Sequence, residues 1–304
     1  MAYAWGIGYQ AVNLFSSVNN SEIGIRRIIT KNHSEGVYSS KELVTRFTTW
    51  PFEPMHTSAI PPAVPGLRSK PLEAFHAEHY LRHNQRRQEH LAMLGLDLAG
   101  KRVLEVGAGI GDHSAFFLDR GCRLTTSDAR PENVAILQER FATRPEVSVM
   151  TIDLDAQPLV ALADRNYSVV YCYGLLYHLC RPGDALRWMS DHCTGMLLLE
   201  LCVSFGSGEA VNLVAEPQEN PTQARSGAGG RPTRSWVVSQ LRQHLAHVYL
   251  PTSQPWHEEF PVDWSEAAAA TWPPGRLSRA VFVASRSPLN SSMLTTSLPM
   301  SQTR

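Results

Sequence analysis

The stretch 101–114, KRVLEVGAGIGDHS, decides how the rest of the chain is interpreted. Its apolar first half predicts a buried strand, and its glycines predict a tight turn that leads into a helix. Such a turn lets a ligand approach the backbone closely, and the helix that follows directs its N-terminal amides at that ligand. The glycines form GxGxG, whereas dinucleotide-binding turns prefer GxGxxG. The stretch therefore predicts a site for a nucleotide-type ligand other than a dinucleotide.

Strand and helix patterns alternate between residues 100 and 286. Seven segments have the nearly continuous apolar character of strands that are covered on both faces. Helical patterns lie between them, and Thr233 is placed to cap the last helix. Repeated strand–helix units predict an α/β fold with a doubly wound, mainly parallel, seven-stranded sheet. The strands are expected at 102–108, 122–128, 147–153, 167–173, 195–203, 247–253 and 280–286.

Composition restricts the classes of partner. The 304 residues are 43% hydrophobic and carry 28 basic and 28 acidic side chains, so no net charge favours nucleic acid or an anionic membrane. No apolar run reaches the length of a membrane span. The five cysteines lack CxxC spacing and indicate reduced thiols. We expect a cytoplasmic protein with a small-molecule substrate.

The chain is expected to divide into an N-terminal extension, one domain and a tail. A proline-rich connector ends the extension, which could be a helical or extended lid or an arm for homodimerisation. Two long loops of the domain are expected to face the substrate, because long connections are uncommon unless they bind or cover ligands. The tail is polar and is predicted to be disordered. The bounds are 1–71 for the extension, 72–288 for the domain with its core at 100–286, 204–232 and 254–278 for the loops, and 289–304 for the tail.

Five motifs in order resemble those of class I S-adenosylmethionine-dependent methyltransferases. They are VLEVGAGIGDHS, SDARPENV, TIDLDA, VVYCYGLLYHL and LLLELCV. The resemblance covers roughly residues 100–286, the whole α/β region. The resemblance implies a Rossmann-like methyltransferase fold with a reversed final strand, and S-adenosylmethionine as cofactor. Segments such as QPWHEEFPVDW are similar to bacterial methyltransferases with undefined small-molecule substrates.

The resemblance also implies positions for cofactor contacts. Glycines would let the methionine part lie against the backbone, and a glutamate before them would attract its ammonium group. One aspartate would accept both ribose hydroxyls, and a second would bind the adenine amino group. The implied set is Glu105, Gly107, Gly109, Gly111, Asp128, Asp153, Tyr173 and Gly174, with Asp155 as an alternative to Asp153.

Two histidines are candidates for a general base, because a hydroxyl acceptor must lose its proton. His178 follows the fourth strand, and His257 lies in a long loop where Glu258 or Glu259 could orient it. Tyr177 could stabilise a cationic methyl donor through its aromatic face. His178 could instead only pack at the start of a helix, and His257 could be solvated.

Other polar residues are candidates for substrate contacts. Arg225, Arg231 and Arg234 could bind an anionic group, or they could form internal ion pairs. In the helical stretch 72–96, Tyr80, His83 or Arg86 could cover the cofactor. His76, His79 and His83 share one face of that stretch, but exposed histidines in such a row are usually solvated, so no metal site is predicted.

Three functions follow from these residues. The leading hypothesis is an O-methyltransferase of a small molecule, because histidines flank the site. The alternatives are an N-methyltransferase of a small molecule or peptide and a catalytically silent partner that binds the cofactor. The glycine spacing disfavours an NAD-dependent oxidoreductase. DNA amino-methylation is disfavoured because Tyr173-Gly174-Leu175-Leu176 stands where an Asn/Asp-Pro-Pro-Tyr/Phe motif is expected.

Overall fold

The computed structural model describes residues 70–304. The predicted extension at 1–71, with its lid or dimerisation arm, therefore lies almost wholly outside the described residues. Two helices lead into the domain and five more alternate with its strands. The helices are α1 (Lys70–Phe75), α2 (Glu78–Met93), α3 (Ser114–Leu118), α4 (Pro131–Arg140), α5 (Pro182–Asp191), α6 (Arg234–His244) and α7 (Glu266–Thr271).

One large sheet organises the domain. Its order is β10-β8-β9-β5-β4-β1-β2-β3, and a separate hairpin consists of β6 and β7. The strands are β1 (Arg102–Val106), β2 (Arg123–Asp128), β3 (Val147–Thr151), β4 (Tyr167–Tyr173), β5 (Cys193–Cys202), β6 (Val211–Ala215), β7 (Ala228–Pro232), β8 (His247–Pro251), β9 (Arg279–Ser285) and β10 (Leu294–Thr295).

The sheet confirms the predicted fold class. Strands β1 to β5 pair in parallel, and β9 runs antiparallel to both β5 and β8, as the reversed final strand implies. All seven predicted strands are present. The count of seven was wrong by one, because the short β10 adds an eighth strand beside β8.

Hydrophobic residues on both faces of the sheet form the core. Leu104 and Leu199 belong to one cluster and Val103 and Leu198 to the other, so neighbouring residues on a strand point to opposite faces. This double coverage explains the continuous apolar runs of the sequence. Thr233 caps α6 as predicted, since its hydroxyl accepts a hydrogen bond from the amide of Trp236 at 3.3 Å.

Residues 289–304 differ from the disordered tail that the sequence predicts. The amide of Thr252 donates to the carbonyl of Met293 at 2.8 Å, and the guanidinium of Arg304 donates to the carbonyl of His257 at 2.7 Å. Strand β8 would otherwise leave an edge of unpaired backbone groups, and the tail pairs with that edge. Among the helices of residues 70–304, none combines the length and apolar character of a membrane span.

Candidate active site

A cavity of about 390 Å³ lies at the carboxyl ends of β1, β2 and β4. Ligands of open α/β sheets bind at this edge, because the loops after the parallel strands meet there. Helix α2 and the turn of the β6–β7 hairpin close the cavity from two other sides, through residues such as Tyr80 and Gln223. Of the predicted residues, it is lined by Tyr80, Glu105, Gly107, Gly109, Asp128, Asp153, Asp155, Tyr173, Gly174, His178 and Arg225.

The glycine turn places backbone against the cavity. Gly109 has a φ of +58°, and a Cβ there would lie 2.7 Å from the ring of Phe75. Gly111 has a different role, because it does not line the cavity and a Cβ there would lie 2.8 Å from Leu137 on α4. Only the first two glycines can therefore contact a ligand directly, whereas the third allows close packing of α4.

Glu105 is a buried carboxylate at the floor of the cavity. The hydroxyl of Ser114 donates to it at 2.5 Å, and that of Thr126 donates to the same oxygen at 3.0 Å. Burial nevertheless raises its pKa to about 7, because removal from water penalises the charged form more than these two bonds favour it. A cationic ligand group beside it would stabilise the ionised carboxylate.

Asp128 ties the glycine turn to the end of β2. The amide of Gly109 donates to one oxygen at 2.9 Å, and the amide of Arg130 and the side chain of Asn133 donate to the other at 2.9 and 3.1 Å. Burial raises the pKa of Asp128 despite these bonds. Since each carboxylate oxygen has two acceptor sites and three of the four are used by these bonds, this side chain can also accept one ribose hydroxyl in the cavity.

Asp153, two residues after the end of β3, also lines the cavity, and the resemblance implies an adenine contact for it. Arg225 donates to its carboxylate at 2.6 Å, and the amide of Asp155 donates to its other oxygen at 2.9 Å. Arg225, for which the sequence left both substrate contact and an ion pair open, lines the cavity and forms an exposed ion pair with Asp153. Such a pair holds the loop over the cavity while contributing little to stability.

His178 has a buried partner that the sequence analysis did not identify. Its Nδ1 contacts the carboxylate of Glu216, which also accepts hydrogen bonds from Arg231 at 2.5 Å and from the amide of Ala224 at 2.7 Å. Burial acts to raise the pKa of Glu216, but the bonds from His178, Arg231 and Ala224 outweigh it and lower that pKa to about 2. Burial lowers the pKa of His178, so its imidazole is neutral at pH 7 with a hydrogen on Nδ1.

Comparison with known proteins identifies the domain. Residues 103–194 match the family model described as a methyltransferase domain. These residues include the glycine turn, Asp128, Asp153 and His178, which the cavity brings together. This region is a class I S-adenosylmethionine-dependent methyltransferase domain.

The methyltransferase domain is also similar to individual proteins. It is 30% identical over 125 residues to a malonyl-[acyl-carrier protein] O-methyltransferase of Enterobacter lignolyticus, a match that covers 37% of this chain. The match spans 49%, about half, of that relative's length. Among solved structures, the N-terminal domain of EvdMO1 is 18% identical, with a TM-score of 0.49 over 69% of this chain and 84% of that one. A Burkholderia thailandensis 1,6-didemethyltoxoflavin-N1-methyltransferase is 21% identical, with a TM-score of 0.44 over 68% and 80%.

Other predicted residues lie away from the cavity of the methyltransferase domain. Tyr177 is buried, and its hydroxyl accepts a hydrogen bond from Arg279 at 3.1 Å. Arg231 is engaged with Glu216 and the carbonyl of Tyr177. Arg234 is buried against the ring of Trp264, 3.9 Å from its centroid. These side chains form internal contacts, the alternative that the sequence left open for the arginines.

His257 and Glu258 are also outside the cavity. Both side-chain oxygens of Glu258 accept hydrogen bonds from Arg82, so the carboxylate joins the loop after β8 to α2. His257 is buried beside His83 rather than solvated. The sequence predicted that this loop faces the substrate. In the structure α2 packs over the loop, so both side chains contact α2 instead of the cavity.

A buried charge network was absent from the sequence-based prediction. Glu200 near the end of β5 is fully buried and accepts hydrogen bonds from Arg87 at 2.8 Å and from Arg279 at 3.1 Å. Arg87 lines the cavity and comes from α2, whereas Arg279 begins β9. The network fixes α2 over the sheet and gives the cavity a polar wall.

Proposed function

We propose that the chain transfers the methyl group of S-adenosylmethionine to a hydroxyl group of a small molecule, with His178 as general base. The observation that carries the proposal is the contact between His178 and Glu216 in the wall of a cavity formed by the methyltransferase motifs. The similarity to an O-methyltransferase also supports an oxygen acceptor.

The chain offers suitable contacts for the cofactor, which supplies an electrophilic methyl group when bound. Glu105 would bind the ammonium group, and Asp128 would accept a ribose hydroxyl. Gly107 and Gly109 allow the ligand to approach the backbone. The buried polar atoms and the turn without side chains fit this ligand, since a Cβ at Gly109 would displace the ring of Phe75 from the cavity wall.

His178 would accept the proton of the acceptor hydroxyl, and Glu216 would stabilise the protonated imidazole. Nδ1 of the neutral imidazole donates to Glu216, so Nε2 carries the lone pair that accepts the hydroxyl proton. The carboxylate of Glu216 then stabilises the imidazolium that forms, and Arg231 holds the carboxylate in place. Glu216 therefore acts as a positioning residue. Because burial lowers the pKa of His178 from that of a free imidazole, the base is available at neutral pH.

The first experiment is incubation of the full chain with trideuteriomethyl-labelled cofactor and a metabolite extract. We expect label in a small molecule, with fragmentation that assigns it to oxygen. Label on nitrogen, in a peptide or in nucleic acid would contradict the proposed acceptor class. Tight cofactor binding without any labelled product would support a silent partner instead.

Variants then test the roles of the two residues on the identified product. His178→Gln is expected to lower kcat by roughly 10²–10⁴-fold, the usual contribution of general base catalysis. Glu216→Gln should lower kcat less and shift the acid limb of the pH profile, while Glu219→Gln on the exposed turn serves as the matched control. Unchanged kcat in His178→Gln, with cofactor affinity intact, would show that the acceptor needs no base at this position.

A further inference from the structure

A second cluster of ionisable side chains lies between α2 and the loop after β8. His83 comes from α2, and His257 and Glu259 come from the loop. One potential ligand atom from each residue lies within 4.8 Å of the others. The two imidazoles are 4.8 Å apart between ring centroids, and Phe260 packs against His83. The cluster thus brings together three metal-binding groups from two separate parts of the chain.

Both histidines are buried and incompletely satisfied. His83 is 5% exposed and His257 is 6% exposed. The Nε2 atom of each is buried and has no hydrogen-bond partner among residues 70–304. A buried ring nitrogen without a partner costs free energy, and an ion shared by the two Nε2 atoms would remove that cost.

The protonation and charge of the cluster also suit a cation. Burial lowers the pKa of both histidines, and the neutral imidazole is the form that binds metals. Arg279 donates to Oε2 of Glu259 at 2.7 Å, a contact that orients the carboxylate. Within the described part of the chain, no side chain donates a hydrogen bond to Oε1 of Glu259.

We infer that His83, His257 and Glu259 bind one divalent transition-metal ion of the Zn²⁺ or Co²⁺ type. Two imidazoles and one carboxylate are a ligand set of zinc sites that keep an open position. The same set suits Fe²⁺ and Mn²⁺, so availability as well as geometry would select the ion. This site differs from the row of His76, His79 and His83 considered from the sequence, of which only His83 takes part.

Binding of a metal ion requires a small local movement of these three side chains. Tetrahedral zinc ligands lie about 3.3 Å apart, so atoms now within 4.8 Å would close by at most about 1.5 Å. The amide of Glu259 points at Nδ1 of His257 from 3.3 Å, a long hydrogen bond. Ligation through Nε2 places the hydrogen on Nδ1 and opens that bond. His257 and Glu259 are two residues apart on a loop, where such a shift costs little.

Charged side chains of both signs surround the cluster. Arg87 and Arg279 are close enough to lower the pKa of His83, while Glu200 and Glu258 supply carboxylates nearby. Three protein ligands leave a fourth position for water or another oxygen ligand. Tyr80, which lines the cavity, lies 6.3 Å from the His83 ring between ring centroids. The ion would therefore lie beside the wall of the cavity and tie α2 to the loop.

Titration of the full chain with Co²⁺ and with Zn²⁺ tests the site without cofactor or substrate. We expect one ion per chain, the visible absorption of four-coordinate Co²⁺, and displacement of Co²⁺ by Zn²⁺. His83→Ala, His257→Gln and Glu259→Gln should each weaken binding by roughly tenfold or more. His79→Ala removes an exposed histidine one turn earlier on the same helix and should leave binding unchanged.

Two results would overturn the assignment. One is a failure of the wild-type chain to bind either ion stoichiometrically at micromolar concentrations. The other is stoichiometric binding that persists in all three variants, which would place the ion elsewhere. Circular dichroism of each variant controls for folding, and the near-isosteric Glu259→Gln preserves the test if His83→Ala is unstable. Because no methyl transfer is measured, the outcome is independent of the proposed function.

Discussion

We predict that cofactor binding weakens as the pH falls, because of the titration of Glu105. The carboxylate lines the cavity and its pKa is raised to about 7, chiefly by burial. The ammonium group of the cofactor would favour the ionised form, so the pKa of Glu105 should fall when the complex forms. Binding below pH 7 must therefore release a proton, and affinity must weaken as the pH falls.

The magnitude follows from the titration of one group. With a pKa of about 7, Glu105 is about half ionised at pH 7 and about one-eleventh ionised at pH 6. The Kd should therefore rise about fivefold between pH 7 and pH 6, and about tenfold for the next unit. Between pH 7 and pH 8 it should fall by at most about twofold. Replacing Glu105 with Gln should weaken binding at pH 8 and abolish the dependence.

Calorimetric titration with S-adenosylhomocysteine between pH 5.5 and 8 measures the Kd and the number of protons released on binding. This ligand retains the ammonium group and prevents turnover. Repeating the titration in buffers with different ionisation enthalpies counts the protons released, and we expect close to one at pH 6. A Kd that is constant from pH 6 to pH 8 in the wild type would refute the reasoning. So would an identical pH dependence in Glu105→Gln, since Asp128 would then be the titrating group.

Three further predictions follow from particular contacts. Gly109→Ala should raise the Kd for S-adenosylhomocysteine roughly tenfold, because its Cβ would displace Phe75 in the cavity wall. Gly121→Ala carries the same positive-φ strain of about 1–2 kcal/mol but has open space for its Cβ, so it controls for strain alone. Glu200→Gln should lower the free energy of urea unfolding by about 3–5 kcal/mol, because Arg87 and Arg279 lose their buried partner, whereas Glu219→Gln should not. Deletion of residues 290–304 should lower that free energy by at least about 2 kcal/mol, because β8 loses its edge partner and Pro251 and His257 lose hydrogen bonds from Gln302 and Arg304.

The sheet could be predicted because its determinants are local. Val103, Leu104 and Val106 form part of an apolar run that is typical of a strand covered on both faces, and the following glycines mark its end. The eighth strand could not be predicted in this way. Residues 289–304 are polar and have no periodicity, and Leu294 and Thr295 pair with β8 only because that edge is open.

The positions of the proposed cofactor residues were more predictable from the sequence than the contact between His178 and Glu216. Glu105 and Asp128 lie at strand ends whose order fixes their position at one edge of the sheet. Glu216 depends on a contact with His178, which is 38 residues away in sequence. The segment 204–232 was expected to be irregular because of its glycines and prolines. The run VNLVAE, 211–216, was the available signal, since its strand-like residues end in a single carboxylate before a turn.

The β6–β7 hairpin links the two ends of the cavity. Glu216 follows β6 and contacts His178, whereas Arg225 from the same turn pairs with Asp153. The guanidinium of Arg130, two residues after Asp128, donates to the carbonyl of Gln218 in that turn at 2.8 Å. Since these contacts come from one short segment, the hairpin cannot move away from Asp153 without also affecting the partner of His178. The orientation of the proposed base thus depends on the same segment that closes the cavity.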